Sequence, residues 1–598
     1  MVFMTFSRSH KRAISWDVFG YYLYLPATFY HHDIALKDIS WADAARIKYD
    51  LSGTLYQVHL VDGGGRVIQY TSGMAIMYFP AFVVGHYCAA ISGHEQDGFS
   101  EPYQLAISIW SCLIALAGLF ALRKILLYYF SDVITSTVLL LIVFATNYFI
   151  TLGQSPALSH NYLFLCYTLL IWNTIQWHNF KKMIHVVGIA LPLGMACLTR
   201  PTELVAIFIP LFWNTNGIQA VLEKIKSTWK NQRKQLLIFI GIMALCAMPQ
   251  LIYWKHVTNH FVFNSYTNPG EGFDFLTPHT GNYLFSFRKG WFVYTPIMLV
   301  ALFGLIYVWK KQQSIRWSFI IFIVFNLYII SSWSCWWYAH CYSQRAMLQS
   351  YPIMAILLGF VLMCLGQLSP AKKTLGAILI SSAALLTVFQ SWQYDNNILD
   401  GSRITKEYYL RVFGETIAKD EDKKLLLISR SLDGSMDFEN REEYKSTLLY
   451  RYDTLREIVN SESQMVDTAT YKGEWLSPEK AFSKEYRVRW EDLTSKDHCW
   501  LTVEADIFCP ENFKVDDLCI VTTFERKGDN YGYAAISLKP DSLKANAWNK
   551  ISYSYLTPEV RSPKDRIKVY AWYRGQGRAF LRNITVLKWE SFAVKKVG

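Results

Sequence analysis

Asp17 stands at the head of a tyrosine-rich stretch, SWDVFGYYLYLPATFYHHD, with Tyr21 and Tyr22 close behind it. A carboxylate placed there is suited to deprotonating an acceptor hydroxyl, and the plainer role for the same residue is to cap the helix that follows. Asp33, which closes the stretch, is the alternative carboxylate. Cationic and polar groups of complementary chemistry recur down the chain: His160 in QSPALSHNY, Arg200 in LTRPTE, Arg288 and Lys289 in SFRKGW, and Trp336, Trp337, His340, Gln344 and Arg345 in SWSCWWYAHCYSQR. Three arginines and a lysine that converge would hold a phosphate or pyrophosphate, for which the guanidinium fork is shaped. Taken singly, each matches a lipid headgroup, and the Trp and Tyr residues match interface anchors. The 11 cysteines show neither CxxC nor Cys/His metal spacing, so no zinc module and no disulfide framework is expected.

These residues need a scaffold, and the composition says which kind. Of 598 residues 52% are apolar and only 18% charged, against about 25% charged in soluble domains. Up to residue 392 apolar runs of about 18 to 20 residues recur, long enough to cross hydrocarbon as helices. The expected spans are 103–122, 133–152, 158–177, 183–199, 202–217, 235–254, 291–309, 316–333, 347–366 and 374–392. Alternate loops are basic: Arg123 and Lys124; Lys181 and Lys182; Lys224, Lys226, Lys230, Arg233 and Lys234; Lys310, Lys311 and Arg316; Lys372 and Lys373. Cytoplasmic loops are enriched in Lys and Arg, so these face inward, and the loops that carry the candidate site face out. The net charge of +12 therefore reports orientation in a bilayer and no nucleic-acid partner. Residues 73–92 are apolar but are expected as a membrane-surface or re-entrant helix, because an eleventh span would put residues 17–72 in the cytoplasm.

Beyond residue 393 the pattern changes. Residues 393–439 read as a linker with a helix, and 440–598 as an antiparallel β-sandwich built from EYRVRWEDL, CWLTVEADIFC, LCIVTTFERKG, GYAAISLKP, WNKISYSYL, RIKVYAWYRGQG and AFLRNITVLKWE. Period-two alternation between turn residues is the strand signal. Cys519 is a pairing partner for Cys499 or Cys509 if the compartment is oxidising.

The order of motifs resembles the GT-C membrane glycosyltransferases, in particular polyprenyl-phosphate-sugar-dependent members related to aminoarabinose and protein mannosyl transferases. The features that carry the likeness are the aspartate in SWDVFGYYLYLPATF, the helix introduced by QYTSGMAIMYFPAF, the SHNY loop, a short span ending TRPT, and the late WSCWWYAHCYSQR followed by Pro352. The likeness covers roughly residues 15–392. It departs from the family in two respects: the span that normally precedes the aspartate is not found, so residues 1–102 are expected as an outer loop with membrane-edge helices, and one Asp stands where many relatives have an acidic pair. The resemblance implies a GT-C-like bundle of ten or eleven membrane helices (residues 103–392 its transmembrane part) in a bacterial inner membrane, with the sandwich periplasmic. It implies transfer of a sugar from a polyprenyl-phosphate donor to a lipid, glycan or protein acceptor, by inversion, with Asp17 as base. Arg200, Arg288, Lys289 and Arg345 would hold the donor phosphate, and Tyr21, Tyr22, His160, Trp337, His340 and Gln344 would line the substrate site. Family members differ in metal use, and the cofactor stays open. The sandwich strands resemble the late strands of jelly-roll carbohydrate-binding modules, with a structural or docking role ranked above sugar binding. The alternatives from other classes are a transporter or flippase of lipid-linked sugar, which calls for a central polar cavity between repeated halves, and a membrane anchor for the sandwich.

Overall fold

The computed structural model describes residues 12–430, 436–452, 474–511, 513–539 and 544–592. It divides into two compact units: the first takes the chain to Thr267 and adds Phe273–Ile404 and Gly414–Ile417, and the second takes Asn268–Gly272, Thr405–Phe413 and the chain from Ala418.

The first unit is helical, and all ten apolar runs form helix over part or all of their length. Five helices are long and apolar enough to cross a membrane: Gly73–Ser92, Glu101–Tyr129, Arg233–Thr258, Arg345–Gly366 and Pro370–Asp395. A sixth is added if Asp132–Phe144 and Tyr148–Gln154, bent by 54° at their junction, make one span. Length and composition therefore mark five or six described helices as spans, where the sequence reading counts ten. Gly73–Ser92, expected at the membrane surface, is among them. The other runs fall short for local reasons. Residues 291–309 break into Trp291–Tyr294, Ile297–Leu302 and Gly304–Lys311, with Pro296 at the first break, where its missing N–H and its ring oppose a continuous helix. The 202–217 run begins as a 3-10 turn, Pro201–Ile207.

The bend at residues 145–147 is held by side chains. Thr146 Oγ1 donates back to the Ile142 carbonyl (2.6 Å) and accepts from the Tyr148 N–H (3.0 Å), while the buried Asn147 accepts from the Tyr351 hydroxyl at 2.6 Å. Inserting such bonds into the ladder is a recognised cause of a kink.

Near the N-terminus, Asp17–Tyr22 and Tyr24–Phe29 are short helices packed on Gly73–Ser92, and β1 (Val58–Leu60) pairs antiparallel with β2 (Arg66–Ile68). Their shared core is aromatic: Phe19, Tyr22, Tyr78, Phe82, Phe99 and Tyr103. At the start of Gly73–Ser92 there is no room for a side chain, since a Cβ on Gly73 would meet Thr199 N at 2.5 Å and Thr199 Oγ1 at 2.6 Å. Thr71 Oγ1 adds a hydrogen bond to the Thr199 carbonyl at 3.0 Å. Together they clamp the residue just before Arg200. Gly73→Ala is expected to destabilise the protein by about 1 to 3 kcal/mol through overpacking, read as a fall in the unfolding midpoint of the detergent-solubilised chain.

The second unit holds nine strands among its described residues: β3 (Tyr444–Tyr452), β4 (Glu474–Leu476), β5 (Tyr486–Arg489), β6 (Trp500–Cys509), β7 (Leu518–Arg526), β8 (Asp529–Ser537), β9 (Ala547–Leu556), β10 (Arg566–Tyr573) and β11 (Ala579–Ser591). They form two antiparallel sheets, β5-β10-β7-β8 and β3-β11-β6-β9, with β4 also on β11. Alternation directs Ile520 and Phe524 of β7 and Ile567 and Val569 of β10 into one core with Val503, Ala505 and Ile507 of β6 and Leu581 of β11. Each of the seven alternating runs contains a strand, and β3 and β4 are additional. Among its described residues the linker carries two short helices rather than one, Lys406–Val412 and Asp420–Lys423. Cys499, Cys509 and Cys519 are all free and buried, which corrects the pairing considered above: Cys519 lies on β7 of one sheet, whereas Cys509 ends β6 of the other and Cys499 immediately precedes it. Alkylation of the denatured protein without reductant should label all 11 thiols; fewer labels would mean a disulfide. The same unit includes Asn268–Gly272. Gly270, at φ +75°, lies so close to the Tyr531 ring that a Cβ would meet it at 2.7 Å, and Arg526 Nη1 donates to the Gly270 carbonyl.

Candidate functional site

Asp17 opens its helix, but its carboxylate caps nothing. Oδ2 accepts from Arg345 Nη2 at 2.8 Å, and Oδ1 accepts from the hydroxyls of Tyr56 (2.7 Å) and Tyr70 (2.9 Å). The pair is mostly shielded, with 24% of the Asp17 and 14% of the Arg345 side chain exposed. Burial pushes the Asp17 carboxyl up, but the Arg345 charge and the two phenols outweigh it, and its pKa lies below the ordinary carboxylate value. Burial, followed by the Asp17 charge, raises both phenols and keeps them protonated as donors. The residue ahead of Asp17, Trp16, sits at φ 51°, ψ −118°, a costly conformation for a bulky side chain. It is pinned by its N–H to the Leu51 carbonyl (2.8 Å) and by Gln57 Nε2 to its own carbonyl (3.1 Å).

Behind this pair lies a chain of polar groups. Tyr21, buried, has its hydroxyl 3.5 Å from Ser159 Oγ and within electrostatic reach of Arg200, Asp17 and Arg345. Arg200 Nη1 is 3.5 Å from His160 Nδ1, and that nitrogen is 3.2 Å from Gln349 Oε1. Gln349 Nε2 in turn donates to Glu203 Oε1 at 3.1 Å, and Tyr167 donates to Glu203 Oε2 at 2.6 Å. Arg200 owes its place to chain geometry: it ends Met183–Thr199 in an extended conformation, φ −147° and ψ 113°, as the residue before a proline prefers.

On the other side of Arg345, Lys289 is buried and donates to the carbonyl and the sulfur of Cys341. Burial pushes its ammonium below the ordinary lysine value, with Arg288 and Arg345 adding to the shift. Arg288 is buried too; its Nε donates to the Ser402 carbonyl at 2.6 Å and its guanidinium stacks 4.2 Å from the Trp337 ring centroid. His340 is exposed, 6.1 Å from Tyr394, and its ring covers Gly401. Gln344 is fully buried, and both its amide atoms lack a hydrogen-bond partner; Arg345 Nε, Ser343 Oγ and the Tyr283 hydroxyl are likewise buried without one. Such groups are costly unless water or a ligand completes them.

The predicted residues thus separate. Asp17, Tyr21, His160, Arg200 and Arg345 share one polar cluster, with Lys289 and Gln344 at its border. Arg288, Trp337 and His340 lie one residue further out. Tyr22 does not belong: its hydroxyl donates to the Gly98 carbonyl at 2.6 Å and its ring packs against Phe82 and Phe99. Asp33 closes a turn instead, accepting from the N–H groups of Lys37 (3.1 Å) and Asp38 (2.9 Å). Tyr56, Tyr70, Gln349 and Glu203 were not singled out from the sequence. Only Glu203 carried a signal, as the acid of TRPTE beside an apolar run.

Next to the cluster an apolar hollow of about 510 Å³ is lined by Tyr24, Phe29, Ile76, Phe79, Ile252 and Tyr253, among others. Tyr24 ties it to the cluster by donating to the Tyr70 carbonyl at 2.7 Å. Among the described residues, no group of three or more His, Cys, Asp or Glu side chains is arranged to hold a metal ion.

No family model and no curated protein matches the chain. Among solved structures, dimeric latent PorU from Porphyromonas gingivalis is matched over 27% of this chain and 14% of its own, at 11% identity and a TM-score of 0.16.

Proposed function

We propose that the first unit is a membrane glycosyltransferase that moves a sugar from a polyprenyl-phosphate donor to a hydroxyl-bearing acceptor on the periplasmic side. The observation that carries this reading is an excess of shielded cations, Arg200, Arg288, Lys289 and Arg345, over the shielded carboxylates of Asp17 and Glu203. Arg200 and Lys289 make no salt bridge with a carboxylate among the described residues: Arg200 Nη1 lies 3.5 Å from His160 Nδ1 and meets the Glu203 charge only at longer range, and Lys289 donates to Cys341. Shielded cations without a carboxylate in contact are costly, and a bound phosphate supplies negative charge against them. The orphaned Gln344 amide and Arg345 Nε supply neutral and charged donors for the same ligand, and the neighbouring apolar hollow suits a prenyl chain.

In this reading the acceptor oxygen attacks the anomeric carbon, its proton passes to Asp17, and the bond from that carbon to the phosphate oxygen breaks. Polyprenyl phosphate leaves with the electron pair and the configuration inverts. The protein contributes position, a base and fixed charge.

Membranes containing the chain, incubated with radiolabelled polyprenyl-phosphate sugars, should pass label to an acceptor, and Arg200→Gln should lower kcat/KM about 100-fold by removing one phosphate-binding cation. If no polyprenyl-phosphate sugar gives up its label to wild type, the reading is wrong.

A further inference from the structure

Displacement with inversion places the base and the leaving phosphate on opposite faces of the anomeric carbon. Arg345 touches the base directly, at 2.8 Å, so while that bond lasts it cannot also clasp a phosphate on the far side of the sugar. The same contact, together with the Tyr56 and Tyr70 hydroxyls on Oδ1, occupies both oxygens of Asp17 and leaves it a poor acceptor of a proton. Yet Arg345 is only partly used. Its Nε is buried without an acceptor, and Lys289 and Arg200 stand within electrostatic reach of the groups around it.

We infer that the Asp17–Arg345 pair is a latch opened by the ligand: a phosphate group, esterified in the donor to both the prenyl chain and the sugar, arrives at the Nε edge of Arg345, competes with Asp17 for the guanidinium, and in drawing it away frees the carboxylate to act as base. This rests on the proposed function for the identity of the natural ligand, but the competition is a property of the pair. It makes the donor the first substrate to bind, since the base is blocked until the phosphate is in place. It also protects the site, because an acceptor entering alone meets a carboxylate with no free oxygen.

Competition has a thermodynamic signature opposite to damage. A group that opposes ligand binding, once neutralised, must tighten that binding, and the coupling is reciprocal. The test is equilibrium binding to the full chain in detergent, with polyprenyl phosphate, inorganic phosphate and polyprenol as separate probes. Asp17→Asn, which keeps the shape and releases Arg345, should bind polyprenyl phosphate about 10-fold more tightly than wild type, within the usual range of site coupling. Tyr56→Phe should act in the reverse direction and bind it more weakly, because a carboxylate deprived of one hydroxyl leans harder on Arg345. In an Arg345→Gln background the effect of Asp17→Asn should vanish.

General loosening of the fold would weaken both single variants, so opposite signs identify the latch. Equal or weaker binding by Asp17→Asn overturns it even if sugar transfer is intact. Failure of both phosphates to bind wild type and Asp17→Asn, or equal binding of polyprenol, overturns the latch and the phosphate site together. Tightening seen with inorganic phosphate but not with polyprenyl phosphate would keep the latch and remove the lipid donor.

Discussion

Asp17→Asn is expected to lower sugar transfer about 100-fold or more, the scale of a lost general base, in a protein that still folds. The asparagine keeps the volume and retains an acceptor for Tyr56 and Tyr70, so the loss should fall on kcat and not appear as a raised KM for the donor. Purified enzyme, assayed over a range of donor concentrations, separates the two. Wild-type turnover in this variant would reduce Asp17 to the counter-ion of Arg345. Asp33 could not take over the role, because its carboxylate is committed to the turn at Lys37 and Asp38.

The second large effect is on stability. Arg345→Met leaves the shielded Asp17 carboxylate without its cation, and removing one partner of a buried pair costs about 3 to 5 kcal/mol; with two phenols still bonded to the carboxylate, about 3 is expected. Asp17→Asn added to Arg345→Met should recover most of the loss, and a double-mutant cycle on the unfolding midpoints measures it. The pH dependence has a definite sign. In wild type the Asp17 carboxyl titrates below its ordinary value, so its contribution to stability is complete above that value and disappears as pH falls through the depressed one. The gap between wild type and Arg345→Met should therefore narrow in acid. A gap that is constant with pH would mean that Arg345 stabilises by packing alone.

How much of this was legible in the sequence depends on how local the cause is. The sandwich strands announced themselves because alternation is written into consecutive residues, as in β10, where every second side chain is buried. β3 gave no such signal: as an end strand of its sheet it has several consecutive exposed residues, and Leu448 is half exposed. Helix positions were legible from apolar runs, but their continuity was not, because the bend at Asn147 depends on a hydroxyl from Tyr351 far along the chain. Asp17 was visible as a carboxylate in an unusual place. Its environment was not, since Tyr56, Tyr70 and Arg345 come to it from separate segments. The same holds for Tyr22, one residue from Tyr21 in sequence but turned by the helix toward Gly98.

The short piece Asn268–Gly272 gives the second unit a discontinuous inventory of parts. By the time β3 (Tyr444–Tyr452) is synthesised, one of the unit's components has long been made and must be retrieved from an earlier stretch of chain. A fragment beginning at Thr405 would lack that component, leaving Arg526 without the Gly270 carbonyl and Tyr531 without the glycine it packs on. Transplanting the sandwich onto another protein therefore means supplying the peptide Asn268–Gly272 as well, and a protease that cuts within those five residues would disturb the sandwich while sparing every strand in it.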